Sequence, residues 1–169
     1  LKSYSSDVFE RINKNLDLVN SYGKWKEKLP KIYLPLPREL DDVIPQNDTF
    51  LSLNDIGVTK YKNQTHVGSI FQDYNLDQVN KIQVIKQADV VMLLYLLEHK
   101  FSKEVKKANY DYYEKRTLHD SSLSLSTHSI LASDIDEKGL AYKLFNGATK
   151  IDLGENMKTW DHGIHAASL

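Results

Sequence analysis

The sequence has no cysteine, only four prolines and seven glycines in 169 residues, and almost no net charge. Without cysteine there is neither a disulfide framework nor a thiolate metal site. The 22 Lys and Arg against 23 Asp and Glu leave a formal charge of -1, which argues against the cationic surface that general nucleic-acid binding requires. Long apolar runs are missing too. The longest, Val90 to Leu97, has eight residues, where a bilayer-spanning helix needs about twenty. The first twenty residues scatter Lys2, Asp7, Glu10, Arg11 and Lys14 among apolar positions, unlike a secretory signal. A cytoplasmic protein without nucleic-acid or membrane partners is therefore expected, and the sequons at Asn47 and Asn63 carry no weight. The chain starts at Leu1 and stops at Leu169 with no turn residue or polar tail, which predicts a piece of something longer.

What is present is mostly helical patterning. Val8, Phe9, Ile12, Leu16 and Val19 fall on one face of a 3.6-residue period, with Asp7 and Glu10 as a capping box and Gly23 as the stop. A short turn over Lys24 to Leu29 precedes Pro30. From Pro30 to about Asn80 no period is sustained, and all four prolines lie there. So long an irregular stretch reads either as a lid or cleft edge or as a long connector, with Tyr33 to Leu36 as a short extended piece. Helical signal returns with Lys86 to Lys100, apolar all round, which demands surrounding protein. Helices are then expected over Lys103 to about Lys115, Ser121 to Ile135 and Glu137 to Thr149. Helices joined by short links point to an all-α layered array or toroid.

Three clusters could carry chemistry. Lys86 and Gln87 precede the apolar helix and offer donors and an acceptor suited to sugar hydroxyls, although a lysine at a helix end can also simply snorkel. Arg116 to Ser124 lies at a helix entry with Asp120 as N-cap. Free backbone N–H groups and the Ser121 and Ser122 hydroxyls suit an anion such as phosphate, though Ser and Asp also merely cap helices. His119 with Ser121 hints at a base and nucleophile, but no orienting group is legible, and a serine hydrolase is disfavoured. In the third cluster, Asp161 to Ser168, His162 and His165 could share a helix face, yet their spacing matches no familiar metal set and no metal is expected. Gly163, Ala166 and Ala167 permit close approach of a helix or a ligand.

Taken in order, Ile85-Lys86-Gln87-Ala88-Asp89-Val90, Tyr112 through Ser124, and Gly163-Ile164-His165-Ala166-Ala167-Ser168 resemble the inverting disaccharide phosphorylases of glycoside hydrolase family 65. The resemblance is strong over Ile82 to Leu169 and loose before it. It implies an all-α chain that is part of an (α/α)6 toroid, with a long irregular loop region near 30–80. Residues 1–169 would form an incomplete, C-terminal portion of that catalytic domain. The implied reaction is phosphorolysis of an α-glucosyl disaccharide, giving β-glucose 1-phosphate with inversion. Lys86 and Gln87 match the family's substrate-binding pair. Ser121 and Ser122, with His165 and the Gly163 backbone, match its phosphate-holding region. Phosphate is a substrate here and no cofactor is implied; the expected partners are the disaccharide, phosphate and further copies of the protein in a homo-oligomer.

The family's general acid, a glutamate in an Asn-Glu-Trp-Glu-like motif, has no counterpart in this sequence. Glu114 lies inside a matching motif but is not that acid, and Trp160 departs from the small or polar residue usual before Asp161. The segment alone is therefore expected to be inactive and, with inner faces uncovered, to self-associate. Two other readings stay open: a family hydrolase of the acid-trehalase kind, using water, and a helical binding module without chemistry.

Overall fold

In the computed structural model the described residues are 5–32, 43–63, 66–87, 89–153 and 165. The chain divides into two compact units, Leu1–Leu34 and Pro35–Leu169. Among the described residues there is no strand, only two isolated parallel bridges, so the all-α expectation holds. No described helix is long and apolar enough to cross a membrane.

The first unit holds helices α1 (Ser6–Leu16) and α2 (Leu18–Lys28), then a 3-10 turn over Leu29–Lys31. One helix ending at Gly23 was expected; the break instead falls at Asp17, in the left-handed region at φ 48°. Asp tolerates that conformation better than most side chains because it bonds locally. Its Oδ2 accepts from Asn20 at 2.8 Å, while Asn13 Oδ1 takes the Val19 N–H at 2.8 Å. Asn13 thus satisfies a donor that the start of α2 would leave orphaned. Gly23 sits inside α2. The expected capping box does not form either: Ser5 precedes α1 without a side-chain cap, and its hydroxyl donates to Asp7 Oδ1 at 2.9 Å.

The second unit contains most of the long irregular region expected near residues 30–80, with short turns set into it. Its described part carries 3-10 turns at Phe50–Ser52 and Ser69–Gln72 and two one-turn helices, α3 (Thr59–Lys62) and α4 (Leu76–Val79). Val58, Tyr61 and Ile70 bury with Ile82 and Leu118 in a small core of their own. Tyr33 to Leu36 lies outside the described residues. Polar side chains hold this segment to the helices behind it: Asn109 Oδ1 accepts from the Ile44 N–H at 2.7 Å, and Tyr113 donates to the Ile44 carbonyl.

The main core joins Val90, Val91 and Leu94 of α5 (Asp89–Leu96) to Val105, Tyr110 and Tyr113 of α6 (Lys103–Glu114) and to Leu131 and Ala132 of α7 (Ser124–Asp134). Helix α7 packs chiefly against α8 (Lys138–Thr149) and also against α5 and α6. Among the described residues of the expected apolar helix, only Asp89–Leu96 is α-helical; Leu96 and Leu97 are exposed, while Val91 and Leu94 are fully buried. Helix α7 begins at Ser124 rather than Ser121, and Asp120 is not its cap. The Asp120 carboxylate instead accepts from the Gly68 N–H at 3.0 Å.

Candidate functional site

The Lys86–Gln87 motif and the Arg116–Ser124 motif are laid side by side by a single bridge. Ile85 pairs with Thr117: the Ile85 N–H donates to the Arg116 carbonyl at 2.9 Å, and the Leu118 N–H returns to the Ile85 carbonyl at 2.8 Å. Both motifs therefore leave the same point of the fold, although 30 residues of sequence separate Lys86 from Arg116. Lys86 and Gln87 are exposed.

Beyond the bridge the chain reaches His119, buried and in the left-handed region at φ 55°. A histidine in that conformation needs outside constraint, and two side chains supply it. His119 Nε2 lies 3.2 Å from Glu114 Oε1, and Nδ1 lies 2.8 Å from Ser124 Oγ. The next residue, Asp120, is tied to Gly68, whose own φ of 75° suits glycine. Ser121 and Ser122 follow directly, half-buried, with Ser121 Oγ accepting from the Leu123 N–H at 3.4 Å. The loop carrying the two serines is thus fixed from α6, α7 and the Gly68 turn together.

Glu114 is the hub. Lys62 Nζ sits 2.5 Å from Oε1, and His128 Nδ1 sits 2.5 Å from Oε2. Burial by itself would raise the Glu114 carboxyl, but the hydrogen bonds from His119 and His128 and the nearby Lys62 charge overcome it. The net result is a carboxylate held well below its usual range. Burial pushes His119 down, against the pull of Glu114, so it stays neutral more readily than a free histidine. Edge-to-face packing of the two imidazoles at 4.7 Å completes the cluster.

The donor atoms of Glu114, His119 and His128 lie within 4.8 Å of one another, close enough for a metal. The Lys62 ammonium, 2.5 Å from the carboxylate, already supplies the positive charge there, and a second cation beside it would be repelled. Glu114–His119–Ser124 also has the connectivity of a nucleophile-activating triad. Ser124 is only 2% exposed at the first turn of α7, however, and the chain of bonds fixes the loop rather than presenting a hydroxyl.

Two cavities flank this network. One of about 520 Å³ is lined by Glu114 and His119 together with Lys62, Lys143 and Lys150. The other, of about 220 Å³, is lined by Ser124 and His128 with Gln87, Asp89 and Thr127.

His165 is half-buried, and its bonds among the described residues go to Asp152 rather than to Ser121 or Ser122. Its N–H lies 2.6 Å from Asp152 Oδ2 and its Nδ1 2.6 Å from Oδ1; the ring and its backbone hold the Asp152 carboxyl below its usual value. Gly163 and His162 lie outside the described residues. Sequence reasoning missed Lys62 and His128 and saw Glu114 without its role. Lys62 sits in an aperiodic stretch that offers no signal. His128, four residues after Ser124 and three before Leu131, shares the buried helix face with them, and only that placement marked it.

Residues 3–169 match the family model described as Glycosyl hydrolase family 65 central catalytic domain. A kojibiose phosphorylase of Halothermothrix orenii (strain H 168) is 48% identical over 170 residues, covering 100% of this chain and 21% of the relative. A kojibiose phosphorylase of Escherichia coli (strain K12) is 43% identical over 128 residues, 76% of this chain and 17% of the relative. A solved structure named "Putative kojibiose phosphorylase from human microbiome" is 32% identical with a TM-score of 0.79, covering 99% of this chain and 23% of that one. The chain spans about a fifth of the length of the curated relatives it matches.

Proposed function

Because this chain belongs to glycosyl hydrolase family 65, within the central catalytic domain, we propose that it is the substrate- and phosphate-holding part of an inverting disaccharide phosphorylase. The observation that supports this reading is the Ile85–Thr117 bridge, which joins the stretch entering Lys86 and Gln87, the pair this reading assigns to the sugar, to the stretch that runs on into the clamped loop of Ser121 and Ser122. The relatives named kojibiose phosphorylase make an α-linked glucosyl disaccharide of that kind the first substrate to try.

The chemistry suits such a pair. An inverting glycosidase needs an acid at the leaving oxygen and a base that activates water. Phosphate is already an anionic nucleophile, so a pocket that holds it replaces the base. Its oxygen attacks the anomeric carbon as the glycosidic bond breaks, and the leaving oxygen takes a proton from the acid. Ser121 and Ser122, with the Gly163 backbone and His165, hold phosphate; Asp152 orients the His165 ring. Lys86 and Gln87 hold the sugar. The acid is a glutamate outside this sequence, which makes residues 1–169 inactive by themselves and a C-terminal portion of the (α/α)6 domain. The same reading takes phosphate as co-substrate without a further cofactor and places the enzyme in the cytoplasm as a homo-oligomer.

The test is an assay of the full-length protein over α-glucosyl disaccharides with and without phosphate. Phosphate-dependent release of β-glucose 1-phosphate is expected. Cleavage at the same rate without phosphate would replace this reading with the hydrolase, and no cleavage of any disaccharide would leave a helical binding module. Replacing Ser121 and Ser122 together with alanine should raise the KM for phosphate at least about tenfold, the loss of one or two charge-assisted hydrogen bonds, and spare that for sugar.

A further inference from the structure

His128 is fully buried, yet its Nε2 has no hydrogen-bond partner among the described residues. A buried imidazole nitrogen left unpaired costs free energy, and native structures rarely keep one without a use. The ring is not loosely placed. Nδ1 is bonded to Glu114 at 2.5 Å, and the rings of Tyr110 and His119 pack on it at 5.7 and 4.7 Å.

That fixation determines what Nε2 can do. The ionised Glu114 carboxylate only accepts, so the proton belongs on Nδ1, and in the neutral ring Nε2 is left with its lone pair. The residue lines the cavity of about 220 Å³ that Gln87 and Asp89 also line. Among its described lining residues there is no lysine or arginine, and Asp89 adds a carboxylate. Such a lining opposes phosphate and suits an uncharged polyol, whose hydroxyls can donate to His128 and Asp89. Met92 and Leu123 offer an apolar face for sugar C–H groups.

We propose that His128 is a substrate-binding residue, which accepts a hydrogen bond at Nε2 from one hydroxyl of the glucosyl substrate in the cavity beside Gln87. This rests on the phosphorylase reading and adds to it a residue that selects sugar through an orientation set by Glu114.

The test uses the full-length enzyme, the parent disaccharide and its monodeoxy analogues. Asparagine mimics Nδ1 but not Nε2, so His128→Asn keeps the bond to Glu114 and deletes the proposed acceptor. With the unsubstituted enzyme, one analogue should lose about tenfold in kcat/KM, as for one hydrogen bond. With His128→Asn that discrimination should fall to within about twofold, the KM for the disaccharide should rise about tenfold and the KM for phosphate should stay put. His128→Gln, whose amide reaches the Nε2 position, should recover part of the discrimination. An unchanged pattern across the analogues, or a rise confined to the KM for phosphate, overturns the assignment of His128 while leaving the phosphorylase reading intact. No phosphate-dependent cleavage of any disaccharide by the unsubstituted enzyme overturns both. A crystal structure of the unsubstituted enzyme with glucose decides the point without a substitution: a sugar hydroxyl within about 3.2 Å of Nε2 supports it, and a filled cavity without that contact overturns it.

Discussion

The two cavities that share the Glu114 network differ in charge more than in construction. The larger places Lys62, Lys143 and Lys150 around Glu114 and His119. Among the described residues the smaller shows one carboxylate, Asp89, and an imidazole nitrogen, His128 Nε2, that has no hydrogen-bond partner. A single half-buried carboxylate therefore governs both sides: it neutralises Lys62 toward one cavity and sets the tautomer of His128 toward the other. Polarity at such a site is decided by which face of a shared group each residue meets, rather than by overall composition, which is balanced.

The sharpest way to break that comparison is to remove the shared group. Glu114→Ala leaves Lys62 with an unpaired charge and both histidines without their acceptor, at a cost of about 3 to 5 kcal/mol in stability. Chemical denaturation measures it, and a loss under about 1 kcal/mol would mean that the two sides are independent.

Acid should produce the next largest effect. Glu114 has a depressed carboxyl, so its stabilisation is present above the unfolded value of 4.5 and is lost as pH falls below it. His119 is also depressed, so acidification starts to cost stability near the unfolded histidine value of 6.5. Thermal melts should thus fall in two stages on acidification. Glu114→Gln should flatten the lower stage and His119→Gln the upper, whereas a single stage common to both variants contradicts the assignment.

A smaller loss is expected at Gly68. At φ 75° an alanine there costs about 1 to 2 kcal/mol and disturbs the N–H that holds Asp120. Because this acts on the loop of Ser121 and Ser122, Gly68→Ala should raise the KM for phosphate before that for sugar; the reverse order would detach the loop from the anion.

The smallest effect belongs to the exposed rim of the larger cavity. Lys143→Gln with Lys150→Gln should change stability by no more than about 0.5 kcal/mol, since both side chains are solvated. A shift of several degrees in Tm would show that these lysines are structural rather than part of an electrostatic rim.

Much of the helical frame was legible. The expected helices over 103–115 and 137–149 match α6 and α8 to within a residue at each end, because their apolar faces repeat over three full turns. The start of α7 was misplaced because Asp120, a good cap by type, is drawn off by Gly68 52 residues earlier. The split at Asp17 depends on the Asn13 side chain taking a backbone donor, which no periodicity records. At the candidate site, Ser121, Ser122, Lys86 and Gln87 were singled out by the order of their motifs along the chain, and the Ile85–Thr117 bridge draws those two motifs together. Lys62 was not, since it reaches Glu114 across 52 residues from a stretch without pattern.

The sequence by itself determined the class of the fold, because helix periodicity and the absence of cysteine and of long apolar runs are local properties. It also determined the family, because three motifs survive in order. Only the tertiary structure decided that the stretch before Lys86 and the stretch before Ser121 are bridged to one another. Burial turned Glu114 from one acid among 23 Asp and Glu into the partner of a lysine and two histidines. An ion pair of that kind takes its strength from exclusion of water, and exclusion is a property of packing that no stretch of sequence contains.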